Sequence, residues 1–109
     1  MAEDVFTKID GKVKNNKVVV YMKGTPDFPQ CGFSAAVINI LDELNVDFVD
    51  INVLEDEEIR QGIKKYSDWS TIPQLYIKEK FIGGCDIVKE LYFSKQLQEE
   101  LSRHNLITN

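Results

Sequence analysis

The chain has 109 residues, 43% of them hydrophobic, with 13 basic and 18 acidic side chains and a net charge of −5. That size fits one compact domain with its own core, and the acidic balance argues against a nucleic-acid module, which needs a basic face. No apolar run approaches the roughly 20 residues that span a bilayer, and the first residues lack the basic region and apolar core of a secretory signal.

Val5, Ile9 and Val13 fall at i, i+4 and i+8 and predict an amphipathic first helix. Val18 to Met22 is a β-branched run without alternation, the pattern of a strand buried on both faces. A loop from Lys23 to Gln30 leads into a helix over about Phe33 to Leu44, with Val37, Ile38, Leu41 and Leu44 at three- and four-residue steps. Asn45 is its left-handed stop. Phe48 to Ile51 reads as a second strand, and strand, helix, strand at this spacing predicts a parallel unit with a right-handed crossover. Glu55, Asp56, Glu57 and Glu58 load the next helix N-terminus with negative charge, and Ile59, Ile63 and Tyr66 give that helix its apolar stripe. Leu75 to Ile77 and Phe81-Ile82 flank Lys78-Glu79-Lys80 and predict an antiparallel hairpin, broken at Gly83-Gly84. A last helical region runs from about Asp86 to Leu101 and divides around Ser94. No internal repeat or interdomain linker interrupts this plan. A βαβ half followed by a ββα half is the order of a thioredoxin-like fold: α/β, with a small mixed four-stranded sheet flanked by helices.

Cys31-Gly32-Phe33-Ser34 is where chemistry concentrates. The thiol sits where a strand feeds a helix N-terminus, and the free N–H groups and dipole there stabilise a thiolate. Most cytosolic cysteines are buried packing residues, but Pro29-Gln30 before and Gly32 after place this one in an open loop. A redox C-x-x-C pair would need cysteine at position 34; Ser34 stands there, so Cys31 must work with a thiol from elsewhere. Cys85 lies far away in another motif, and two cysteines are too few for a disulfide scaffold and suit a reducing compartment.

Thr71-Ile72-Pro73 precedes the Leu75 strand. A proline opening an edge strand is common; a cis bond there would instead turn the Ile72 backbone outward to pair with an extended peptide beside the thiol. Gly83-Gly84-Cys85-Asp86 is a glycine turn into a helix, with Asp86 as its N-cap. First-turn N–H groups can also hold a carboxylate, with Asp86 pairing an α-ammonium nearby. Lys23 and Arg60, if they converge, make a second carboxylate site, whereas Lys64 reads as ordinary solvated charge. An α-amino-acid head, a central thiol and a terminal carboxylate satisfy all these groups, and glutathione is that ligand. Phe28 and Phe33 flank the thiol, either shielding a bound group or packing the loop. Trp69 reads as partly packed, and His104, the one histidine, as a surface residue rather than a metal ligand.

Together, Tyr21-Met22-Lys23-Gly24-Thr25-Pro26, Cys31-Gly32-Phe33-Ser34, Trp69-Ser70-Thr71-Ile72-Pro73-Gln74 and Gly83-Gly84-Cys85-Asp86 resemble the monothiol glutaredoxins of the CGFS type. The four motifs occur in order and at that family's spacing. The resemblance covers nearly the whole chain, residues 1–109 as one glutaredoxin domain, in a short form like the bacterial and mitochondrial members. Ser70 departs from it, since the family usually has proline there, and the loop before Thr71 loses some rigidity.

The resemblance implies a protein that binds glutathione and a [2Fe–2S] cluster shared by two subunits. Cys31 would be the cluster ligand and the redox-active thiol. Lys23, Arg60, Ile72, Cys85 and Asp86 would contact glutathione, Ile72 through its backbone. The expected role is a cytoplasmic or mitochondrial-matrix carrier of [2Fe–2S] clusters to apo iron–sulfur proteins, a homodimer when loaded. Two alternatives stand beside it: a glutathione-dependent thiol–disulfide oxidoreductase, weakened by the long Lys23 to Gln30 loop, and a regulatory heterodimer with a BolA-like protein.

Overall fold

A computed structural model describes residues 4–108. Helix α1 (Val5–Asn15) is capped by Asp4, whose carboxylate accepts the N–H of Phe6 at 3.0 Å. Strand β1 (Val18–Met22), helix α2 (Gly32–Glu43) and strand β2 (Val49–Asn52) follow, with β2 parallel to β1. A single 3₁₀ turn (Val53–Glu55) leads to α3 (Glu57–Ser67). The second half is β3 (Gln74–Ile77), β4 (Lys80–Gly83), α4 (Cys85–Phe93) and α5 (Gln96–Arg103). The sheet order is β2-β1-β3-β4, with β3 antiparallel to both β1 and β4. This is the mixed four-stranded thioredoxin-like architecture expected from the sequence.

All five residues of β1 are buried, because helices cover both faces of the sheet. Successive strand side chains point to opposite faces, so β1 feeds two cores. Val18, Val20 and Met22 pack with Val37, Ile38 and Leu41 of α2, Val88 of α4 and Leu97 and Leu101 of α5. Val19 and Tyr21 pack with Ile9 and Val13 of α1 and Ile59 and Ile63 of α3. The apolar stripes legible in the sequence are the faces that fill these two layers.

Several boundaries differ from the expected ones. Asn45 is left-handed at φ 60°, as expected of a helix stop. The acidic run divides: Glu55 belongs to the 3₁₀ turn, and Asp56 caps α3 by accepting the N–H groups of Glu58 and Ile59 at 3.0 and 3.3 Å. The break near Ser94 is real and is completed by Lys95, left-handed at φ 72°. Asp86 is not the N-cap of the helix it opens. Gly84 holds that position and Asp86 sits in the first turn, where its charge still favours the dipole. His104 is half-buried, with Nε2 3.2 Å from Glu100, and not simply on the surface.

Candidate functional site

Cys31 is the N-cap residue of α2, partly exposed and without a formed side-chain cap bond. Its thiol is nonetheless more acidic than usual. The backbone N–H of Ser34 contributes most and that of Phe33 adds to it; partial burial opposes them, while the Lys23 charge and the Ser34 hydroxyl also favour the thiolate. Ser34 is fully buried, and its hydroxyl accepts the backbone N–H of Lys23 at 3.1 Å. It therefore ties the end of β1 to the first turn of α2 and holds Lys23 beside the sulfur. The sequence marked Ser34 only as an absent second cysteine; its burial reveals a structural post.

The loop after β1 is folded back on itself. Gln30 N–H donates to the Lys23 carbonyl at 2.9 Å, and Thr25 and Phe28 bond to each other's backbone at 3.3 and 3.1 Å. Gly24 takes φ 91°, and its N–H donates to the Asn52 side chain at 2.9 Å, which also accepts the N–H of Leu54 at 3.0 Å. Asn52 thus joins the thiol's loop to the end of β2. The signal in the sequence is an Asn at a strand end before a helical turn, a residue whose side chain accepts from the backbone two residues on.

Beside the thiol lies a groove of about 210 Å³. Its walls are Phe33 of α2, Trp69, Thr71, Ile72 and Pro73 of the loop before β3, and Gly84 to Ile87 at the start of α4. The Ile72–Pro73 peptide is cis. Gly84 is needed for close approach: a Cβ there would stand 3.2 Å from the Trp69 indole nitrogen and 3.3 Å from the Pro73 carbonyl. Trp69 is 38% exposed and packs its ring against Phe81 at 5.7 Å. Phe28 and Phe33 are 74% and 61% exposed, so neither ring is packed into the loop.

Of the residues singled out from sequence, Ile72, Cys85 and Asp86 meet in the groove, and Cys31 with Lys23 stands at its Phe33 side. Arg60 lies outside the groove walls, on α3. Its guanidinium is 3.8 Å from Glu57, and its Nε is buried without a hydrogen-bond partner among the described residues. Cys85 is buried, and burial pushes its thiol up; nearby Lys89 opposes this, while Asp86 and Cys31 add to it. The two thiols are thus set apart by their surroundings, one activated and accessible, the other suppressed.

The glutaredoxin family profile matches residues 18–82. A Rickettsia conorii protein named probable monothiol glutaredoxin 2 is 52% identical over 99 residues, 91% of this chain and 92% of its own. The chain belongs to the glutaredoxin family, among its monothiol members. Reduced apo GrxS14 of poplar superposes with a TM-score of 0.78 at 55% identity, covering 89% of each chain. A buckwheat glutaredoxin–glutathione complex superposes at 0.84 with 25% identity over 95% of this chain and 93% of its own.

The contrast between this glutaredoxin's thiols is directly measurable. Iodoacetamide at neutral pH is expected to label Cys31 well ahead of Cys85, scored by peptide mass. The Cys31 rate rises with pH through a midpoint lowered from the ordinary thiol value, because the thiolate is the nucleophile. Ser34→Ala moves that midpoint up by removing the hydroxyl. Equal labelling of the two cysteines would refute the assignment.

Proposed function

We propose that this glutaredoxin carries [2Fe–2S] clusters, as a glutathione-dependent dimer that accepts a cluster and hands it to apo iron–sulfur proteins. The observation that carries the reading is a single accessible, acidified thiol beside a groove suited to a small thiol peptide. A [2Fe–2S] cluster takes four thiolates. One chain offers Cys31; Cys85 is buried with a raised pKa. Among the described residues, no three His, Cys, Asp or Glu side chains converge to hold a metal ion. Two chains and two glutathiones complete the set, and ligands that exchange make a cargo that can leave.

The groove's groups fit glutathione. The Ile72 backbone would pair with the peptide's centre, the first-turn N–H groups of α4, Cys85 among them, with its α-carboxylate, and Asp86 with its ammonium. Lys23 and Arg60 would hold the glycine carboxylate, and the partnerless Arg60 Nε is consistent with that. A regulatory heterodimer, with a BolA-like protein in the place of one subunit, is the alternative to this homodimeric carrier. Two free cysteines suit a reducing compartment, bacterial cytoplasm or mitochondrial matrix; among the described residues no helix is long and apolar enough to cross a membrane.

The acidified thiol also favours a second reading. The Cys31 thiolate would attack the glutathione sulfur of a mixed disulfide and release the other thiol; a second glutathione thiolate would then displace Cys31 and leave as glutathione disulfide. Anaerobic reconstitution with iron and sulfide separates the two. With glutathione, the carrier reading expects a brown dimer by visible absorbance and sedimentation. Without glutathione, or after iron chelation, it expects colourless monomers. A colourless protein that turns over a small mixed disulfide rapidly would select the enzyme; a tight apo dimer at micromolar concentration would overturn the bridging.

A further inference from the structure

Gln74 is a fully buried polar side chain in a four-residue strand, and each of its polar ends is used. Its amide nitrogen donates to the carbonyls of Trp69 and Thr71 at 3.0 and 3.2 Å. Its oxygen accepts the Tyr76 phenol at 3.0 Å. A third contact reaches the same loop from α3: the Ser67 hydroxyl lies 3.4 Å from the Trp69 carbonyl and 2.9 Å from that of Ile63. Gln74 is anchored in turn by its strand, paired through Tyr21 to the end of β1 that leads to Lys23.

We propose that Gln74 is a positioning residue for the groove: its amide holds the Trp69–Thr71 turn so that the Ile72 backbone faces a ligand thiol beside Cys31. The physical reason is the number of carbonyls involved. A loop of this kind leaves carbonyls without partners, and buried backbone acceptors need donors. One side chain supplies two donors at once, to residues on either side of Ser70. With both carbonyls fixed, Ile72 has little freedom, and its N–H and C=O are presented without an ordering cost at binding. Trp69 is held by the same contact, with its indole against Gly84. Ser70 stands where proline would stiffen the turn, so Gln74 supplies from below the order that the turn's own residues do not.

This inference rests on glutathione as the groove's ligand, and the test separates the two. Gln74→Met removes both donors and nearly preserves shape. Tyr76→Phe removes the hydroxyl that donates to Gln74 and also meets Ser67, and leaves both contacts of the Gln74 amide with the loop. Glutathione binding is titrated calorimetrically on each folded variant and the unaltered protein, beside thermal melting and acrylamide quenching of Trp69, the one tryptophan. Gln74→Met is expected to weaken glutathione about tenfold or more, equivalent to a lost hydrogen bond's worth of alignment, and to make Trp69 more quenchable. Tyr76→Phe is expected to lower the melting temperature while leaving affinity within about twofold and quenching unchanged. If Gln74→Met does not fold, Gln74→Met/Tyr76→Phe, which leaves no phenol unpaired, takes its place with the same expectation. Unchanged quenching in the Gln74 variant, or equal affinity loss in Tyr76→Phe, overturns the positioning role. An unaltered protein that ignores glutathione, with quenching still raised in Gln74→Met, rejects the ligand and upholds the loop's dependence on Gln74.

Discussion

Cys31→Ser is expected to abolish cluster assembly and leave the fold intact. The substitution exchanges sulfur for oxygen at a partly exposed cap position, so stability should change by no more than about 1 kcal/mol. A serine hydroxyl does not ionise in the working range, so the helix N-terminus that stabilises the Cys31 thiolate has no anion to offer iron. Cys85 cannot replace it, because burial holds its thiol in the neutral form. Reconstitution with iron, sulfide and glutathione should give no visible band, while far-ultraviolet circular dichroism and melting match the unaltered protein. A Cys31→Ser protein that still assembles a glutathione-linked cluster would sink the assignment of Cys31 as the cluster ligand.

Gly24→Ala should give the largest loss of stability from a single added methyl. The Cβ would stand 2.6 Å from both the Gln30 backbone nitrogen and the Phe28 carbonyl, at a φ of 91°. Neither neighbour is a flexible side-chain end. Backbone strain and overlap together cost on the order of 2–4 kcal/mol, which for a domain of this size lowers the melting temperature by more than about 10 °C. The damage reaches the chemistry, because relieving the overlap moves Gly24 off Asn52 and loosens the loop that carries Lys23 toward the thiol. Thermal melting with the pH profile of Cys31 alkylation checks both effects. A melting change under about 3 °C would show that the loop yields at little cost.

Much of the fold is legible in local pattern. Val18 to Met22 carries the pattern of a strand buried on both sides, β-branched and with no alternation to mark a wet face, and both faces of β1 do pack against helices. The stripes of α1, α2 and α3 follow from helical period, and Asn45 from its tolerance of left-handed backbone. Such signals involve residues a few positions apart, so they survive without knowledge of the rest of the chain.

The site was only half legible for the opposite reason. Cys31 ahead of a helix is a local fact, and the chain by itself determined that an accessible thiol would meet first-turn N–H groups. What that thiol would feel was not local. Ser34 could be read as a missing cysteine until folding buried it against Lys23, 11 positions earlier in sequence. Asp86 had the chemistry of a cap, yet the backbone placed the cap at Gly84. Asn52 reaches Gly24 across 28 positions. Cys85 carries the same side chain as Cys31, and only packing decided that one thiol is suppressed and the other activated. Period and turn chemistry act along the chain; desolvation and the partners of buried polar groups act through space, and these were decided when the five helices closed over the two faces of the sheet.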